Sequence, residues 1–180
     1  MDDTLETARL RLRPPEEADI SVFVPLIGNF SVSKNLSVVP HPYTEADGLT
    51  WVRTSRDKRL KGTDFIFAMI RKTDNTFIGA CGVHPSRDFE LGYWLGEPYW
   101  GHGYATEGAR KVVQFAFEAL GAAILRAGFV HDNPASGRVL MKLGFTHTHD
   151  KPYPCLARGT EVPARRMALT REQFLSIVTP

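Results

Sequence analysis

Cysteine is nearly missing from this chain. Its 180 residues include two, Cys81 and Cys155, with no metal-ligand spacing between them and no partners for a cross-linked framework. A disulfide-stapled scaffold and a cysteine-held zinc site are therefore excluded, and a reducing, cytoplasmic setting is the simplest expectation. Long apolar runs are missing as well. The stretch VFVPLI is short and broken by Pro25, so no segment reads as a bilayer span. The start, MDDTLETARL, is acidic without an apolar core and does not read as a secretory signal. Nor does one sign of charge prevail: Lys and Arg number 22 and Asp and Glu 20, a net charge of +2. No whole-molecule field draws the chain to nucleic acid, and any affinity for anions has to be local. Repeats, low-complexity tracts and linkers are absent too, so residues 1–180 read as one domain.

What is present is the composition of an ordinary globular protein, 43% apolar and 23% charged, long enough to bury one core. RLRLRP (9–14) alternates as a half-exposed strand. PPEEADISVFVPLIGN begins a helix with proline and acids, and Thr44 with Asp47 reads as a capping box before a second helix. The period then falls to two. Residues 64–72, 76–84 and 88–96 are rich in β-branched and aromatic side chains, with turn residues between them, and predict an antiparallel meander. From Tyr104 the helical period returns: Ala105, Ala109, Val112, Val113, Ala116 and Leu120 form one stripe, and Gly121 stops it. AILRAGFV (123–130) predicts a strand buried on both faces. Asn133 then caps a short helix with Pro134 at its first position and Gly144 at its end. FTHTHD and EVPARRMALT read as two closing strands. The fold class is α/β.

The most informative stretch is YWGHGYATEGARKVV, where strand, glycine turn and helix follow one another. Free N–H groups at a helix start attract phosphate, and Gly101 and Gly103 place no Cβ in a ligand's way. Thr106 stands where a dinucleotide fingerprint needs its third glycine, and nothing supplies the Gly-Lys-Ser/Thr of a P-loop. A glycine-rich connection without a ligand stays open on the turn alone.

The wider stretch FELGYWLGEPYWGHGYATEGARKVV resembles the GNAT family of N-acetyltransferases, and within it the RimJ/RimL-like branch of ribosomal-protein-alanine N-acetyltransferases. ETARLRLRP, NPASGRVLMKLGF and LARG…RRMALT extend the resemblance over nearly the whole chain, in the right order. It implies a mixed, mostly antiparallel sheet with helices on both faces, splayed open to admit acetyl-CoA. Trp100-Gly101-His102-Gly103-Tyr104-Ala105 matches the family's pyrophosphate turn, with Trp100 in place of the general Gln or Arg, and Thr106 follows it. By the same resemblance, backbone groups of Tyr93, Trp94 and Leu95 pair with the pantetheine arm, and Asn133 contacts it. Glu90 takes the proton of the acceptor amine, and Ser136 protonates the departing thiolate, with Tyr153 as the fallback acid.

Those roles suit the chemistry. An α-amino group with a pKa of about 7.7–8.0 is already roughly a tenth neutral at pH 7, and a thiol of pKa about 8.5 leaves readily, so a gentle base suffices. Each residue also has a plainer reading: an exposed strand glutamate, a helix cap, a solvated first-turn serine. His147 and His149 make only half a metal site, and no metal is expected. Arg110, Lys111 and Arg138 suit the coenzyme's 3′-phosphate or a solvated surface. Cys81 reads as core, and Cys155 has no histidine placed to make it a nucleophile. The function expected is acetyl transfer from acetyl-CoA to a primary amine of a protein N-terminus or small molecule. The rival is a non-catalytic acyl-CoA-binding module on the same fold. The identity of the acceptor and the oligomeric state are not encoded in any motif.

Overall fold

The computed structural model describes residues 4–178, so the ends of the acidic start and of the expected 1–180 domain lie outside the described residues. Strand β1 (Leu5–Glu6) turns into β2 (Leu10–Arg13), where the alternation buries Leu10 and Leu12 fully. A 3-10 turn leads into α1 (Ile20–Gly28), followed by the single turn α2 (Phe30–Ser33). The capping box forms as its sequence predicts: Asp47 accepts from the Thr44 amide at 2.8 Å and Thr44 Oγ1 accepts from the Asp47 amide, starting α3 (Glu45–Leu60). The meander is β3 (Phe65–Arg71), β4 (Thr76–His84) and β5 (Glu90–Leu95). Next come α4 (Tyr104–Glu118), β6 (Ile124–Val130) and α5 (Pro134–Lys142). The chain closes with β7 (Thr146–Asp150), a hairpin of β8 (Tyr153–Cys155) and β9 (Thr160–Val162), β10 (Ala164–Thr170) and α6 (Arg171–Val178).

Eight strands form one sheet in the order β1-β2-β3-β4-β5-β6-β10-β7, antiparallel except where β5 meets β6. Phe23 and Ile27 of α1 and Val52 of α3 cover one face, against Ala68, Ile70 and Ala80. The stripe of α4 covers the other, where Val112, Val113 and Ala116 are fully buried with Phe67 and Met69, and Leu140 of α5 joins them.

Two expectations need correction. β6 alternates rather than being buried on both faces: Leu125 and Ala127 point into the core, whereas Ile124 is 41% exposed and Arg126 is exposed and paired with Asp88. EVPARRMALT is not one strand either. Pro163 interrupts it, so β9 pairs with β8 while β10 inserts between β6 and β7. No helix among the described residues is long and apolar enough to cross a membrane.

The feature that positions everything else is the junction of β5 and β6. These parallel neighbours share a single register pair, Glu90 with Arg126, and then diverge. A half-sheet lies on each side of the resulting gap.

Candidate active site

The gap opens into a cavity of about 630 Å³ whose walls are β5 on one side and β6 with the start of α5 on the other. The register decides which groups of β5 face it. The Gly96 amide donates to Ile78 O, and the pairing with β4 runs without a shift from there to Glu90. Antiparallel hydrogen bonding alternates, so the even residues of β5 bond to β4 and the odd ones are turned away from it. The amides of Tyr93 and Leu95 therefore face the gap. Trp94 differs from the sequence expectation: its backbone is turned toward β4, its carbonyl lying only 2.2 Å from where a Cβ on Gly79 would sit. It reaches the cavity through its side chain.

The glycine turn ends in Gly103, the N-cap of α4, with φ +81°, and Gly101 has φ +78°. Both conformations strain any side-chain-bearing residue. A Cβ on Gly101 would meet nothing within 4 Å, so the backbone there is open to an approaching group. Trp100, Gly101, Gly103, Ala105 and Thr106 line the cavity. His102 and Tyr104 do not: Arg9 Nη1 donates to the His102 carbonyl at 3.0 Å, and the same guanidinium lies 4.5 Å over the Tyr104 ring. Trp100 supports the turn from below, its Nε1 donating to Leu95 O at 2.8 Å.

Arg9 is a residue that sequence reasoning passed over. It is fixed by Glu107 in the first turn of α4, whose carboxylate accepts from the Arg9 amide (2.8 Å), the Arg9 guanidinium (2.7 Å) and Thr7 Oγ1 (2.7 Å). Burial alone would raise the Glu107 pKa, but these donors outweigh it and hold the group below the usual glutamate range. The strand that begins the sheet is thereby fastened to the glycine turn.

Glu90 and Ser136 stand on opposite walls of the gap. Glu90 is about one-third exposed, and Arg166 Nη1 of β10 lies 3.3 Å from its Oε1. Gly128 makes room for this reach: a Cβ there would sit 3.1 Å from the same Arg166 nitrogen. Ser136 lies in the first turn of α5, below Asn133, whose side chain accepts from the Ser136 amide. Its hydroxyl has a partner the sequence did not reveal. The Tyr93 hydroxyl is 2.8 Å from Ser136 Oγ and donates to the Ser136 carbonyl at 3.0 Å. Burial pushes the Tyr93 phenol well above its usual pKa, so it stays protonated at neutral pH. Tyr153 also lines the cavity, but its hydroxyl donates to Asn35 O at 3.1 Å and Arg166 covers its ring.

Among the phosphate candidates Arg138 lines the cavity, joined by Lys142, while Arg110 donates to Lys142 O and Lys111 contacts Gln114. Cys81 is buried core, and Cys155 is buried with its Sγ donating to Lys34 O. His147 pairs with Asp150 on an exposed strand, and His149 contacts Thr148. Among the described residues no cluster of His, Cys, Asp and Glu is arranged to hold a metal.

A sheet split beside a glycine turn at a helix start, with a cavity between the halves, is a site built for an extended, phosphate-bearing ligand. The chain belongs to the acetyltransferase (GNAT) domain family, matching it over residues 9–146. It is similar to the uncharacterized N-acetyltransferase YoaA of Bacillus subtilis, with 31% identity covering 78% of this chain and 81% of that protein. At the level of the fold it matches Mycobacterium smegmatis RimJ in complex with CoA-disulfide, with a TM-score of 0.85 and 18% identity, covering 98% of this chain and 94% of the other. The ribosomal-protein-S5-alanine acetyltransferase of Vibrio fischeri gives a TM-score of 0.81 at 16% identity, covering 96% and 99%. The protein is an N-acetyltransferase.

Proposed function

We propose that residues 1–180 form one catalytic domain that transfers the acetyl group of acetyl-CoA directly to a primary amine, with the amino terminus of a protein as the first acceptor class to test. The observation that carries this reading is the placement of a carboxylate and a hydroxyl, Glu90 and Ser136, on opposite walls of one gap. Acetyl-CoA supplies the activated acyl group as a thioester. The amides of Gly101, Gly103, Ala105 and Thr106, the turn residues that line the cavity, hold its pyrophosphate, with Arg9 adding positive charge beside Gly103. Arg138 and Lys142 suit the 3′-phosphate. The gap-facing amides of Tyr93 and Leu95 pair with the pantetheine arm and serve as donors to the developing oxyanion. Glu90 accepts the amine proton, and Ser136, backed by the Tyr93 hydroxyl, protonates the thiolate.

Likeness to the ribosomal-protein-S5-alanine acetyltransferase supports a peptide amino terminus over a polycationic small molecule. The test is release of free thiol from acetyl-CoA across a panel of peptides with free N-termini, small amines and aminoglycosides. Turnover is expected with N-terminal peptides. Tight coenzyme binding with no thiol release from any amine would make the chain a binding module instead.

A further inference from the structure

Asp64, the residue just before β3, stands side by side with His84 of β4 and Glu90 of β5 at one level of the sheet. His84 and Glu90 are register partners across β4 and β5, and the register of Phe65 with Val83 puts Asp64 opposite His84. Directly opposed residues leave the same face of a sheet, so the three side chains form a row. Asp64 has no solvent exposure, and its Oδ2 lies 3.3 Å from His84 Nδ1. Neither atom makes an aligned hydrogen bond, although Lys58 Nζ is 2.8 Å from Oδ2 and Ser86 Oγ donates to Oδ1 at 2.5 Å. The other ring nitrogen, Nε2, is 3.8 Å from where a Cβ on Gly92 would stand, and both His84 and Gly92 line the cavity. A buried carboxylate behind one ring nitrogen, with the other over a cavity floor bare of side chain, is an arrangement for moving protons.

Resting on the reading of the chain as an amine acetyltransferase, we propose that His84 is a second proton acceptor in the transfer, oriented through Nδ1 by Asp64. The stoichiometry calls for two. The acceptor arrives as an ammonium ion with three N–H hydrogens and leaves as an amide with one, so two protons leave its nitrogen. The C–N bond forms, the C–S bond breaks, and one proton ends on the thiolate sulfur while the other returns to solvent. Glu90 receives one and His84 Nε2 the other. Burial holds the imidazole below its ordinary pKa against the pull of Asp64, so the ring is neutral and able to accept at pH 7. The charged groups that face it are Asp64 with Lys58 of α3 behind it, Arg87 after β4, and Glu90 of β5 with Arg166 of β10 upon it.

The experiment compares thiol release by wild type, His84→Gln and Asp64→Asn from pH 5 to 9, with acetyl-CoA affinity measured by direct titration. His84→Gln is expected to lose roughly ten- to hundredfold in turnover near pH 7 with affinity unchanged. The loss should shrink toward low pH, where the wild-type ring is itself protonated, and toward high pH, where the amine deprotonates in solution. In Asp64→Asn the acid limb should move to lower pH, because the charge favouring imidazolium is gone. A His84→Asn variant repeats the comparison if His84→Gln fails to fold. A ratio to wild type that is constant with pH would mean that His84 is structural and overturn the proposal. An unmoved acid limb in Asp64→Asn would overturn the positioning role. Absence of thiol release from wild type with every amine would overturn it together with the functional reading.

Discussion

Glu90 shows how one side chain can carry a pH profile. Glu90→Gln keeps the shape and leaves Arg166 a neutral acceptor, but cannot take a proton. Turnover should fall roughly a hundredfold near pH 7 with acetyl-CoA affinity intact, and the deficit should narrow as pH rises. Parallel profiles for mutant and wild type would show that Glu90 positions the amine without receiving its proton. At Ser136 the expected loss is smaller, because a thiolate needs little help to depart. Ser136→Ala should lower turnover roughly ten- to hundredfold without weakening coenzyme binding, and Tyr93→Phe should reproduce part of that loss, since its hydroxyl meets Ser136 Oγ at 2.8 Å. Wild-type turnover in Ser136→Ala, measured where chemistry limits, would return this serine to its plain place in the first turn of α5.

The glycine turn is tested best against another turn. Gly103 and Gly121 both have positive φ, +81° and +70°, but only Gly103 lines the cavity. Alanine at either position should cost about 1–2 kcal/mol of backbone strain and lower the melting temperature similarly. Only Gly103→Ala should also weaken acetyl-CoA binding by at least tenfold, about 1.4 kcal/mol. Equal affinity in the two variants would refute the phosphate cradle. This turn was legible in the sequence because its signals are local, as are the Thr44–Asp47 box, the stripe of α4 and the Asn133 cap. The row of Asp64, His84 and Glu90 was not. It exists only once two strand registers are set, and its members are 20 and 6 residues apart in the chain. Tyr93 was read for its backbone alone, since nothing local announces that its hydroxyl will meet a helix 43 residues on. Helices α2 and α6 went unseen because one short turn and an end segment offer little periodicity, and Pro163 was needed to separate β9 from β10.

For the molecule as a whole, the buried ionisable groups predict how acid unfolds it. His84 has a folded pKa below its unfolded value, so between the two the unfolded chain binds more protons and stability falls as pH drops below about 6.5. Asp64 and Glu107 are also depressed: burial opposes their charge, but Lys58, Ser86 and His84 around Asp64, and Thr7 and Arg9 around Glu107, outweigh it. Their contribution is present above about pH 4 and is lost below it. The melting temperature should therefore decline in two stages, and His84→Gln should abolish the first alone; a single decline near pH 4 in wild type would contradict the burial assigned to His84. The lone register pair joining β5 to β6 has a different consequence, readable by hydrogen–deuterium exchange. The amides of Gly92 and Trp94, bonded to β4, should exchange slowly, and those of Tyr93 and Leu95, facing the gap, quickly, so that protection beats with a period of two along a strand in the middle of a sheet. Saturating acetyl-CoA should erase that beat by slowing the odd residues alone, as though a ninth strand had been laid into the gap.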